Sequence, residues 1–110
     1  MRETYKQYDR LFKAIADETR LKIVDMLSCG EKCACELLSG LNISQPTLSY
    51  HMKNLTESGL VTVRKDGSWM RYSINQNQAQ ELIAFLAAIT SDKTDCICKD
   101  ESKKSSAKCD

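Results

Sequence analysis

A single histidine, a single proline and almost no net charge mark this 110-residue chain: 16 Lys and Arg face 15 Asp and Glu, leaving +1 at neutral pH. Each scarcity excludes something. Without a second histidine, a zinc site built on paired imidazoles is ruled out; the single His51 and a cysteine could in principle form a dyad, but they fall on different elements with no third orienting group. No glycine-rich phosphate loop and no Ser/His/Asp set is present, so the chain is expected not to be an enzyme. No apolar run approaches the ~20 residues that cross a bilayer. The start, Met1-Arg2-Glu3-Thr4-Tyr5-Lys6, lacks the apolar core of a signal peptide, so a cytoplasmic protein without membrane contact is expected. The balanced charge excludes a global basic field. Any nucleic-acid face must be a local patch.

Against these absences stand six cysteines, a composition of 42% hydrophobic and 28% charged residues, and no internal repeat. That is an ordinary globular composition for one domain. In a reducing compartment the cysteines are free thiols rather than a disulfide framework.

The most informative stretch runs from Ser44 to Leu55. Ser44 is a good N-cap, and Pro46 is tolerated in a first turn whose N–H groups have no helical partner. Leu48, Met52 and Leu55 recur at i, i+4 and i+7 as one apolar stripe. Gln45, Thr47, Ser49, Tyr50, Lys53 and Asn54 lie mostly off it and carry hydrogen-bonding groups suited to base edges and phosphates. Taken alone, such a face is commonly plain surface, so its neighbours decide.

Those neighbours read as follows. A first helix covers 3–16, with Tyr8, Leu11, Phe12 and Ile15 inward. Asp17 caps a second helix whose face is Leu21, Val24 and Leu27, with Ile23 and Met26 beside them and Gly30 as its end. A short helix from Ala34 to Ser39 stops at Gly40, and Asn42-Ile43 turns into the Ser44 helix, which Gly59 ends. This is a helix-turn-helix. Leu60–Arg64 and Trp69–Ile74 flank an Asp66-Gly67 turn as a β-hairpin, a wing. Arg64, Lys65 and Arg71 gather there against Asp66 and supply the local basic patch. Asn75 caps a last helix, Gln76 to Thr90, apolar enough to pair with a second copy. The expected fold is therefore mainly α with a small β-hairpin. Residues 1–92 form the domain, and 93–110 form a flexible tail that carries Cys96, Cys98 and Cys109.

Four pieces, in order, resemble the ArsR/SmtB family of metal-responsive winged-helix repressors over roughly residues 8–90: Ala16-Asp17-Glu18-Thr19-Arg20-Leu21; Cys33-Ala34-Cys35-Glu36-Leu37; Ser44 to Met52; and Glu57-Ser58-Gly59-Leu60-Val61 leading into Arg64–Tyr72. The resemblance implies a homodimer formed through the first and last helices and bound to a palindromic DNA operator. It implies that Gln45, Thr47, Ser49 and His51 lie toward the DNA and that Arg64, Lys65 and Arg71 hold phosphate; Ser44 and Tyr50, on the same stretch, are counted with the DNA-binding candidates.

The resemblance also implies that Cys33 and Cys35 bind the inducer and that no cofactor is needed for DNA binding. A thiolate pair favours soft ions, with arsenite or antimonite first and cadmium or lead as the alternative. Residues i and i+2 diverge on a regular helix, so the pair is expected to require a distorted first turn. Many arsenic-sensing relatives place a third cysteine three residues beyond the second, where this chain has Leu38. Cys29, Cys96 and Cys98 remain candidates for that ligand. Two other functions stay open: a thiol redox sensor of the same fold, and a metal-sequestering protein.

Overall fold

The computed structural model describes residues 2–92. The 93–110 tail, with Cys96, Cys98 and Cys109, lies outside the described residues. In chain order the elements are α1 (Arg2–Ile15), α2 (Glu18–Leu27), β1 (Lys32–Cys33), α3 (Ala34–Ser39), α4 (Gln45–Ser58), β2 (Val61–Asp66), β3 (Trp69–Ile74) and α5 (Gln76–Thr90).

Three side chains start helices as local chemistry dictates. Asp17, Ser44 and Asn75 accept from the backbone N–H of Arg20, Thr47 and Gln78, satisfying donors that the first turn leaves unpaired. Gly59 ends α4 at φ 90°, and Gly67 turns the hairpin at φ 65°, both left-handed positions that suit glycine. The second helix is shorter than expected. It ends at Leu27 with Ser28 as its cap, and the Ser28 hydroxyl donates to the Asp25 carbonyl.

Leu37 and Leu55 are fully buried, and with Ile23, Leu27, Leu48, Met52, Val61 and Ala14 they form the main core. On α2, Ile23 takes the central place and Leu21 is 53% exposed, the reverse of the expected order. A second cluster of Leu11, Leu60 and Leu82 ties α1 to α5. There the Tyr8 and Phe85 rings stack with centroids 4.2 Å apart. Ile83, Leu86 and Ile89 of α5 stay exposed.

The sheet has three strands, not two. Lys32–Cys33 pairs antiparallel with β3, giving the order β1-β3-β2, with Lys32 opposite Tyr72 and Cys33 opposite Arg71. A two-residue strand leaves no periodicity to read. It carries weight for function, because it hydrogen-bonds the backbone at Cys33 to the wing.

Candidate metal and DNA-binding site

Cys33 is the residue on which α3 begins. Its backbone is extended, φ −84° and ψ 165°, so the helix starts one residue later, at Ala34. Cys35 is then the second residue of the first turn. This arrangement brings the two sulfurs to 2.6 Å, with Cys33 buried and Cys35 exposed as free cysteines. The expectation that the pair requires an unwound helix is therefore corrected. The i, i+2 divergence applies only when both residues are helical, and Cys33 is not. Two thiolates around one ion at the usual zinc–sulfur length stand about 3.8 Å apart, close to the ordinary contact distance of two neighbouring thiols.

Glu36 supplies the cap that sulfur supplies poorly. Its Oε1 accepts from the Cys33 backbone N–H at 2.8 Å. That bond is the main reason its carboxyl lies below the usual carboxylate range. The Cys35 thiol is pushed up, first by its hydrogen bond with Cys33 and then by desolvation. Among the described residues no third Cys, His, Asp or Glu joins the pair in a metal-holding group. Cys29 is exposed and outside any such group.

The N-cap Ser44 is exposed, and so on α4 are Gln45, Pro46, Thr47, Ser49, Tyr50, Lys53 and Glu57. Tyr50 is 63% exposed. The Ser44 hydroxyl accepts from the Thr47 N–H and donates to the Thr47 hydroxyl at 2.9 Å, so both serve the cap as well as the surface.

His51 departs from its expected place. It is buried, and its Nδ1 accepts from Arg20 Nη1 at 3.1 Å, with Asp17 Oδ2 at 3.9 Å. Arg20 Nε also donates to the Ala14 carbonyl at 2.7 Å. His51 therefore locks α4 to the α1–α2 corner instead of facing outward. Its position, one residue before Met52, puts it on the edge of the apolar stripe. The periodicity alone does not decide on which side such an edge residue falls.

Two of the three wing cations are ion-paired, one of them with a carboxylate from outside the wing. Arg64 makes a bidentate pair with Glu31, at 2.8 and 2.9 Å, and Arg71 Nε donates to Asp66 Oδ2 at 3.1 Å. Arg64 and Arg71 stand directly opposite each other across β2 and β3. Like charges in that register repel, and the two carboxylates offset this. The Glu31 carboxyl is held low chiefly by its hydrogen bond with Arg64. Glu31 carries no sequence signal: it sits between Gly30 and β1, in no repeat or motif, and only the folded sheet brings it to Arg64.

The profile described as "Bacterial regulatory protein, arsR family" matches residues 17–63. The arsenical resistance operon repressor of Staphylococcus aureus is 45% identical over 96 residues, covering 87% of this chain and 92% of that protein. Among solved structures, an ArsR-like transcriptional regulator from Rhodococcus sp. RHA1 superposes with TM-score 0.73 at 28% identity, over 80% of this chain and 83% of that one. The homodimeric winged helix-turn-helix DNA-binding domain from Mycobacterium bovis does so with TM-score 0.67 at 27% identity, over 80% and 82%. With its order of helices, its wing and this degree of identity over nearly all of a curated relative, the chain belongs to the arsR family of bacterial regulatory proteins and has the winged helix-turn-helix fold.

Proposed function

We propose that the chain is a homodimeric, cytoplasmic repressor that leaves its palindromic operator when a thiophilic ion, arsenite or antimonite, is captured by Cys33 and Cys35. The observation that carries this reading is the convergence of the two sulfurs at 2.6 Å on the junction of β1 and α3. Cys33 is bonded through β1 to the wing strand opposite Arg71, while α3, which carries Cys35, packs on α4. An ion held by both sulfurs therefore acts on both DNA-facing elements at once.

In this reading Gln45, Thr47, Ser49 and Tyr50 read the groove, Ser44 holds the start of the reading helix, and Lys65 contacts phosphate. Arg64 and Arg71 exchange Glu31 and Asp66 for phosphate oxygens. The exposed Ile83, Leu86 and Ile89, beside the α1–α5 aromatic stack, supply the dimer face. The similarity to the staphylococcal arsenical resistance repressor supports arsenic as the inducer. Coupling of ~1–3 kcal/mol gives a 5–150-fold loss of operator affinity on loading.

Operator release followed by gel shift tests this, with arsenite, antimonite, cadmium, lead and zinc as titrants. Release by arsenite that disappears in Cys33→Ser/Cys35→Ser is the expected result. Equal operator affinity with and without ion overturns the reading. The same titration on a chain ending at Thr94 decides whether Cys96 and Cys98 contribute, and release by peroxide without any ion identifies a redox sensor instead.

A further inference from the structure

Between α3, the start of α4 and the wing lies a cavity of about 420 Å³. Cys35 forms part of its wall. Leu38, Leu48, Trp69, Met70 and Tyr72 give it apolar and aromatic walls, and Gln45, Ser49 and Ser68 supply its polar part. Trp69 is 52% exposed and Met70 42%, so the wing holds two large apolar side chains that the core does not use. At the same place the thiol site is short of a ligand. Among the described residues only Cys33 and Cys35 converge, and Leu38, a hydrocarbon, lines the cavity next to them.

Trivalent arsenic forms three bonds. Two sulfurs satisfy two of them and leave one valence beside a cavity whose larger share is carbon and aromatic ring. We propose that the cavity receives the organic group of a monosubstituted trivalent arsenical, R–As(OH)₂ with R aryl, whose arsenic is held by Cys33 and Cys35. The inference rests on the dithiol reading above and narrows its ligand. In the step, two As–O bonds break and two As–S bonds form. The two thiol protons leave with the two hydroxides as water. The As–C bond stays intact and arsenic remains trivalent, so no oxidant or reductant is required. A cavity of ~150 Å³ already accommodates a benzene ring, so a phenyl group fits with room to spare. Once seated, the ring occupies the cleft between Trp69 and the Gln45–Ser49 face, where the wing and the reading helix together meet DNA.

The test uses the full chain and three probes: phenylarsonous acid, methylarsonous acid and arsenite. Binding to free protein is measured in competition with dithiothreitol, which normalises for intrinsic arsenic–dithiol affinity. Phenyl is expected to exceed methyl by tenfold or more and to quench Trp69 emission. In Trp69→Ala, a half-exposed position whose loss leaves the core intact, that preference is expected to fall at least fivefold while methyl and arsenite binding stay unchanged. Equal normalised binding of phenyl and methyl, or an unchanged ratio in Trp69→Ala, overturns the inference and leaves the dithiol reading standing. If all three probes bind Cys33→Ser/Cys35→Ser as well as they bind the parent chain, the dithiol reading fails and takes the inference with it.

Discussion

Cys33 and Ser44 start consecutive helices with nearly the same backbone, φ −84° and ψ 165° against φ −78° and ψ 162°. Each is followed four residues later by a buried leucine, Leu37 and Leu48. Only the heavy atom differs. The Ser44 oxygen turns back on the Thr47 N–H and closes its own helix. The Cys33 sulfur turns to Cys35, and Glu36 takes over part of the capping. One local geometry thus closes the helix in α4 and, in α3, leaves a sulfur beside a second one.

The comparison breaks most visibly through the shared leucine anchors. Leu37→Ala and Leu48→Ala are each expected to cost 2–5 kcal/mol in urea unfolding, roughly what emptying a buried leucine site costs. Against a total of roughly 5–15 kcal/mol, either change leaves a marginal domain. A much smaller loss for Leu37→Ala would show that α3 is held by its sheet partner rather than by the core.

Next in size is Cys33→Ser, which replaces the sulfur at the start of α3 by the capping oxygen found at Ser44. Operator binding should persist and the 5–150-fold response to arsenite should vanish, as read by fluorescence anisotropy. The converse change, Ser44→Cys, is expected to create no site, because the residue two positions on is Pro46 and no second sulfur converges.

Ser44→Ala should cost about 1 kcal/mol of stability, the usual loss for an N-cap hydroxyl, visible as a lower urea midpoint. The smallest effect concerns Asp17, the one carboxylate cap among the three oxygen caps. Its carboxyl is held below 3.8, mainly by the Arg20 backbone N–H. A depressed folded-state value means that this contribution is present above the ordinary carboxylate range and is lost as pH falls through the folded value. Asp17→Asn, which keeps a capping oxygen, should therefore flatten the acid side of the stability profile. Thermal unfolding measured from pH 6 down to pH 2 checks it.

Helix starts and stops were legible because they are local. Asp17, Ser44, Asn75 and Gly59 act within one turn of where they stand, and all four perform in the fold the terminus role expected of them. The Leu48–Met52–Leu55 stripe was legible for the same reason, since a 3.6-residue period forces one face inward. His51 was not, because it lies at the edge of that stripe and its burial depends on Arg20, 31 residues earlier in the chain. Glu31 and Arg64, 33 residues apart, meet only across the folded sheet.

The amino-acid order by itself determined the helix-turn-helix, the wing and the choice of sulfur as the chemical feature, because spacing, capping and side-chain type act over a few residues. The tertiary structure alone decided that Cys33 belongs to a strand of the wing, that His51 is a brace, and that Cys35 opens on an apolar cavity. Each of these depends on segments tens of residues apart, brought together by burial of a shared core whose contacts leave no periodic trace in the chain.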